Sequence, residues 1–387
     1  MHELHAILDG WRGLTGSNRD AVLATVVHVT GSAYRRPGAR MLILPDGRRI
    51  GSISGGCLEG DVSRKAWWFT EGGKPSVRVY DTSSDEDAVW EFGLGCNGVI
   101  QVMLERVESG PCREAMEFLD TCKTSGGKTA VIATVIRTRG PAAVDVGDRL
   151  LVATDEERGV LHGSTITAQL RPHIEQTQRE QKSRMVFLQD CEVFVEYVAP
   201  PPSLVVFGAG HDAIPVATLA KQLGWHVTVA DGRPAYATAP RFPQADQVVV
   251  MRPGQPLAGI NIGQETLVVM MTHNYPQDAK LLPGILAARP RYLGLLGPKK
   301  RAERLFAEVG IAMSSVNVHA PAGLDIGSDT AEGIALSIVS EMQAELAGRA
   351  GMKLRHRQAP IHEPVQESGE QQERAVMETE YATCEIG

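Results

Sequence analysis

The chain contains no apolar run near the roughly 18 residues that a membrane-crossing helix needs, so no membrane partner is expected. Cysteine is scarce: six in 387 residues are too few for a disulfide scaffold, and free thiols in a reducing cytoplasm are the simpler reading. The first residues, MHELHAILDGWRG, lack the basic stretch followed by an apolar core that marks a secretory signal. Positive charge is also short. Lys and Arg number 39 against 46 Asp and Glu, a formal net charge of −7, which argues against the basic stripe of a nucleic-acid surface. Several catalytic signatures are missing. There is no Cys-x-x-Cys pair and no nearby His at zinc-ligand spacing, no Gly-x-Ser-x-Gly elbow and no P-loop lysine. Hydrophobic residues, at 43%, suffice for sizeable cores, and the length predicts two or three domains.

The N-terminal part, about 1–108, reads as strand-rich α+β. Ala21–Val29 is a continuous β-branched run, as in a buried strand. Ala39–Leu44 and Arg48–Gly51 flank Asp46-Gly47, which predicts a hairpin with a type I′ turn. Gly51–Glu59 (GSISGGCLE) is too glycine-rich for a regular element and feeds a helix over Leu58–Thr70. Ser76–Tyr80 reads as a strand and Asp81–Glu91 as an acidic loop; Gly93–Gly98 (GLGCNG) is a second glycine turn, leading into strand Val99–Arg106. Residues 109–199 carry a helical pattern at Cys112–Cys122, strands at Thr129–Arg137, Arg149–Ala153 and Cys191–Val198, and a polar helix at Thr165–Lys182. This stretch is taken as a lobe completing one domain over 1–199. No internal repeat stands out.

Pro200-Pro201-Pro202 favours an extended linker without backbone donors. Beyond it, Ser203–Phe207, Val227–Ala230, Gln247–Val250, Thr266–Met271 and Tyr292–Leu296 are short apolar runs. They alternate with helical patterns at Ala213–Leu223, Gln277–Ala288, Lys299–Val309 and Ala331–Leu346. That alternation predicts a doubly wound, Rossmann-like parallel sheet over 203–346. Asp329-x-x-Glu332 resembles a capping box for the last helix. The acidic, apolar-poor tail, 350–387, is expected to be poorly ordered.

Within that third part, Leu204–Phe207 runs into Gly208-Ala209-Gly210-His211-Asp212-Ala213, the G-x-G-x-x-G/A arrangement of strand, tight turn and helix. Asp231 closes the second strand, where a carboxylate can bind a ribose hydroxyl. NAD(P) or another nucleotide is one reading. An empty scaffold is the other, because Asp212 at the helix start either caps the helix or repels a phosphate. His273 and Lys299 follow later strand ends, where open α/β sheets bind ligands; a satisfied loop histidine and a solvated helix start are the plainer readings of the two.

In the first glycine turn, Ser52, Ser54, Gly55, Gly56, Cys57 and Glu59 lie together. The glycines let consecutive N–H groups point one way, as an anion-binding nest. Cys57 stands at a helix start, which favours thiolate. Such a thiolate can carry a persulfide, attack an electrophile or ligate a soft metal. Cys96 has the same glycine-flanked setting. Arg35, Arg36 and Arg40 flank the preceding loop, where they can bind a phosphate or be solvated.

The segments GSAYRRPGARMLILPDGRRIGSISGGCLEGDV and GLGCNGVIQVMLERV resemble the N-terminal domain of the XdhC/CoxI family, the xanthine dehydrogenase accessory factors. LVVFGAGHDAIPVATLAKQLGWHVTVADGRP, MTHNYPQDAKLL, RYLGLLGPKKR and GLDIGSDTAEGIALSI are similar to its C-terminal Rossmann domain. The resemblance implies a maturation factor rather than a turnover enzyme. It would bind molybdenum cofactor, present it to a cysteine desulfurase for sulfuration, and pass it to an apo xanthine dehydrogenase-type hydroxylase. Cys57 would contact the molybdenum or relay sulfur, with Cys96 and Glu59 beside it, and Gly208, Gly210, His211 and Asp212 would lie in the second site. The chain departs from the family's pattern in two places: Asn97 stands in the second cysteine turn, Gly95-Cys96-Asn97-Gly98, where glycine is expected, and the basic loop reads Gly-Pro-Lys-Lys-Arg. Two other readings stand beside this one: an NAD(P)-dependent oxidoreductase acting on a small molecule, and an adaptor without cargo. A homodimer is compatible with all three.

Overall fold

The computed structural model describes residues 2–14, 20–56, 58–81, 98–108, 110–124, 128–140, 142–154, 156–359, 361 and 366–368. They form two compact units, Glu3–Pro200 with the C-terminal end and Pro201–Ile361. The fold is mixed α/β, with antiparallel sheets in the first unit and a parallel sheet in the second.

The first unit opens with α1 (His2–Arg12), followed by β1 (Val22–Gly31), β2 (Arg40–Ile43), β3 (Arg49–Gly51), α2 (Glu59–Phe69), β4 (Ser76–Asp81) and β5 (Gly98–Arg106). Its sheet has the order β3-β2-β1-β5-β4. The hairpin at Asp46-Gly47 forms, but only Gly47 has positive φ (83°), so its turn is not the type I′ expected. The loop is longer than two residues, and one left-handed position suffices to reverse the chain.

After α3 (Gly110–Thr124) come β6 (Ala130–Thr138), β7 (Arg149–Ala153), β8 (Glu156–Arg158), α4 (Thr165–Glu180), β9 (Arg184–Phe187) and β10 (Cys191–Val198). A short strand near the C-terminus, β17 (Gln366–Ser368), joins their sheet parallel to β9. The order is β17-β9-β10-β6-β7-β8.

With β17 set aside, the two sheets have the same order, and each follows a helix. The expectation of no internal repeat is corrected by the structure, which contains one. Thr25 pairs with Arg40 across β1 and β2, as Thr134 pairs with Arg149 across β6 and β7. A bulge falls at Val27 in β1 and at the equivalent Ile136 in β6. Gly51 and Gly159, both at positive φ, each press against the carbonyl of the repeat's own arginine, Arg40 or Arg149.

The halves are joined by crossed ion pairs. Arg40 of the first repeat forks onto Glu196 of β10, and Arg149 of the second forks onto Glu105 of β5. Glu105 faces Leu23 and Glu196 faces Ile132, again equivalent positions. On the surface, Arg12 of α1 reaches Asp120 of α3 while Lys123 of α3 reaches Asp9 of α1. Between the halves lies a core of Ile7, Leu8, Trp11, Met116, Phe118 and Leu119.

The second unit comprises β11 (Ser203–Phe207), α5 (Ala213–Gln222), β12 (His226–Asp231), β13 (Gln247–Val250), β14 (Thr266–Met270), α6 (Tyr275–Ala288), β15 (Tyr292–Leu295), α7 (Lys299–Glu308), β16 (Val318–His319) and α8 (Ala331–Leu346). The all-parallel order β13-β12-β11-β14-β15-β16 is that of a Rossmann fold. Strands β11 and β14 are buried along most or all of their length, as a sheet covered on both faces requires. The cap of α8 is Thr330, whose hydroxyl accepts from Gly333 N–H, rather than Asp329; Thr330 has the extended backbone a cap needs. Among the described residues no helix is long and apolar enough to cross a membrane.

Removing one member of a buried, forked ion pair strands the other charge, at a cost of about 3–5 kcal/mol. Glu105 is fully buried and Arg149 nearly so. We therefore expect Arg149→Ala to lower the urea midpoint sharply. Arg149→Met combined with Glu105→Leu should recover most of the loss.

Candidate functional site

In the first unit the expected anion nest is present and is filled by the chain itself. Glu59 is the first residue of α2, so its side chain reaches back over the preceding turn. Its Oε1 accepts from Ser52 Oγ (2.8 Å), Ile53 N (3.1 Å), Ser54 N (2.9 Å) and Gly55 N (3.2 Å). Its Oε2 accepts from Gly56 N (3.0 Å) and from Ser54 Oγ. Ser54 Oγ in turn accepts from Leu58 N at 3.0 Å, satisfying a donor at the start of the helix. Burial alone would raise the Glu59 carboxyl; the hydroxyls of Ser54 and Ser52 and the backbone N–H groups overcome it and hold the pKa down at about 2. The ring of the exposed Tyr34 lies directly over Gly55, where a side chain would collide with it.

The second repeat has nothing comparable. Its loop between Gly159 and α4 is two residues shorter, and Ser164 caps α4 by accepting from Thr167 N. The chemistry-bearing loop therefore belongs to one repeat alone. Cys57 and Cys96 lie outside the described residues. Cys112, Cys122 and Cys191 are buried, free thiols with pKa values pushed up by that burial, and so unreactive. Of the three arginines beside the loop, Arg40 is committed to Glu196 and Arg35 to Glu3.

In the second unit the fingerprint sits at the point where the strand order reverses, between β11 and β14. Gly208 is required because a side chain there would strike the Met271 carbonyl as β14 exits. The space above Gly210, which in a dinucleotide site lets phosphate approach, contains Asp212: its Oδ1 lies 2.5 Å from where a Cβ would stand. Asp212 makes no capping hydrogen bond. Its Oδ2 instead meets His273 Nε2 at 2.7 Å, across the switch point. His273 holds φ at +53°, an uncommon conformation for a non-glycine residue.

Asp231 is equally committed. It accepts from Ala209 N (2.7 Å) and, through both oxygens, from Arg233. Burial opposes its ionisation, and Arg233 with the Ala209 N–H more than compensates, lowering its pKa. A ribose would have to displace that arginine. Thr272, Asp278 and Arg301 form a further chain, 2.5 and 2.8 Å per link, tying the end of β14 to α6 and α7. His211 and Lys299 are exposed. Among the described residues no three His, Cys, Asp or Glu side chains are grouped to hold a metal.

Comparison with known proteins follows this division. A family model described as the XdhC Rossmann domain matches residues 204–342. A model of the XdhC and CoxI family matches residues 14–81 and 124–189, two stretches of similar length that fall one in each repeat. A Bacillus subtilis (strain 168) protein named as a probable subunit of xanthine dehydrogenase is 34% identical over 349 residues, 88% of this chain and 97% of its own length. The molybdenum cofactor insertion chaperone PaoD of Escherichia coli (strain K12) is 23% identical over 84% of this chain and 83% of its own. A crystal structure described as that of a xanthine dehydrogenase from Bacillus halodurans superposes with a TM-score of 0.74 at 29% identity, covering 91% of this chain and 98% of that one.

The depressed Glu59 pKa has a signed consequence for stability. Ionised Glu59 contributes above its unfolded value, and the contribution disappears as pH falls from about 4.5 through about 2. Glu59→Gln should therefore be less stable than wild type at pH 7, by about 3 kcal/mol. The gap should close on acidification through that window, read by calorimetry against pH.

Proposed function

Because the chain belongs to the XdhC and CoxI family, we propose that it carries molybdenum cofactor as cargo and delivers it to a xanthine dehydrogenase-type hydroxylase. The observation that carries this reading is the Ser52–Gly56 turn wound around Glu59 immediately before α2. Six donors converge on one carboxylate, which is far more order than a surface loop needs. The loop so fixed leads directly into Cys57, the residue of GGCLE best suited to a soft metal or a persulfide. Glu59 acts as a positioning residue: its oxygens are saturated, so it sets the turn while the thiol contacts molybdenum or relays sulfur. A relative named as a molybdenum cofactor insertion chaperone supports cofactor as the cargo.

On this reading the partners are an apo-hydroxylase and a cysteine desulfurase, met in the cytoplasm. Cys96, flanked by glycines in the sequence GLGCNG, serves as an accessory thiol. The Rossmann unit serves the same cargo through Gly208, Gly210, His211, Asp212 and His273, with Lys299 at the rim. Dinucleotide chemistry fits this crevice poorly, since Asp212 fills the phosphate approach and Arg233 occupies the ribose-binding carboxylate.

Titration of released molybdenum cofactor into the full chain tests the proposal. Wild type should bind it saturably, and Cys57→Ala should bind at least about tenfold more weakly, a loss of about 1.4 kcal/mol. Unchanged affinity in Cys57→Ala removes the thiol from the account; no binding by wild type removes the cargo.

A further inference from the structure

The segment after β12 holds a cation for which the reading above has no use. Arg241 donates one terminal N–H to the Ala209 carbonyl at 3.1 Å. It pairs with no carboxylate among the described residues, and its Nε is buried without an acceptor. A half-buried guanidinium held by one carbonyl, with no carboxylate beside it, is a costly arrangement that an anion reaching its terminal nitrogens would relieve. Arg233 stands close by: its guanidinium carbon lies 3.9 Å from the centroid of the Tyr236 ring, and that of Arg241 lies 5.0 Å from the same centroid. Arg233 holds Asp231 through Nε and one terminal nitrogen, leaving its other terminal nitrogen outside that pair. Two guanidiniums are thus gathered by one half-exposed tyrosine, beside the peptide of Ala209 in the fingerprint turn.

The anion such a platform suits can be specified. A phosphate at the usual place over Gly210 would meet the Asp212 carboxylate. The platform is the alternative in the same crevice. In doubly wound folds an arginine at the end of the second strand takes a phosphate carried on the ligand's periphery rather than its bridging pyrophosphate. A phosphomonoester presents several charged oxygens, which match the forked donors of arginine better than a single carbonyl would.

We propose that Arg233, Tyr236 and Arg241 form a phosphomonoester-binding site. Its occupant is the terminal phosphate of the pterin cargo, an assignment that rests on the cargo reading; the 2′-phosphate of a nucleotide is the other source of the same chemistry.

The test uses the full chain in phosphate-free and sulfate-free buffer, titrated calorimetrically with 6-hydroxymethylpterin monophosphate, 2′-AMP and their unphosphorylated parents. Each ester that binds should do so at least about tenfold more tightly than its parent. Arg241→Ala should erase that preference and Arg241→Lys should keep part of it. Preference for the pterin ester assigns the anion to cargo and preference for 2′-AMP to a nucleotide; either supports the site. Because Arg241 also holds Ala209, the wild-type melting temperature with inorganic phosphate against chloride at matched ionic strength gives a readout free of variants, and it should rise. Equal affinities for ester and parent, or a melting temperature indifferent to phosphate, overturn the site. Wild type that binds the esters but not molybdenum cofactor leaves the site standing and removes the cargo reading instead.

Discussion

The carboxylate of Glu59 is the constraint on which the first candidate site depends. A turn containing Gly55 and Gly56, both at positive φ, has no regular hydrogen bonding of its own, and its N–H groups would otherwise turn to water. Glu59 gathers four of those N–H groups and two hydroxyls onto one side chain. The cost of burying a charge is met by charge-assisted bonds, which is why the carboxyl ionises so readily. The same device recurs in the second unit. Asp231 clamps the Ala209 N–H, and Asp212 lies over Gly210. The Ser52–Gly56 turn and the fingerprint turn are thus both shaped by carboxylates of the chain itself. Any anionic ligand must therefore bind beside these turns rather than in them, or displace a carboxylate first.

The duplicated unit explains why the first turn can be held so firmly. Crossing Arg40 to Glu196 and Arg149 to Glu105 makes each repeat supply the counter-ion of the other. Separating the repeats would leave each arginine and each glutamate of the crossed pairs without its partner. The arrangement has the reciprocity of a two-fold interface, in which a contact from i to j is matched by one from j to i, yet it lies within one chain. One copy is therefore free to diverge while the other keeps the frame. The loop after Gly51 is longer and carries Gly55, Gly56 and Glu59; the loop after Gly159 ends in a plain serine cap.

Much of this architecture is local and so legible in the sequence. The parallel sheet is announced by apolar runs alternating with helical spacing, and the fingerprint by strand, glycines and helix in succession. Glu59 is recognisable as a member of the first turn, but its role is not. That six groups point at it depends on how the turn folds back, which spacing does not encode. Other contacts are longer still: Asp212 meets His273 across 61 positions and Arg40 meets Glu196 across 156. The repeat did leave a trace, since Val22-Leu-Ala-Thr-Val-Val and Gly38-Ala-Arg40 recur as Val131-Ile-Ala-Thr-Val-Ile and Gly147-Asp-Arg149. Comparing the chain with itself at that offset would have found it. Arg233 and Arg241 left none, because arginines in a loop look solvated until their partners are known.

The Ser52–Gly56 turn and the fingerprint turn also differ in how firmly their carboxylates are held. In the first, the carboxylate is saturated and buried, so it fixes the geometry of the turn. In the second, Asp212 has one oxygen on an exposed imidazole and the other over a glycine. That carboxylate is held by one hydrogen bond, whereas Glu59 is held by six. A ligand can move Asp212 by outcompeting His273 alone, while moving Glu59 would unravel the whole turn. The first turn is therefore a fixed mount and the second an adjustable one. The difference lies in the number of donors: six hold Glu59, and a single imidazole holds Asp212.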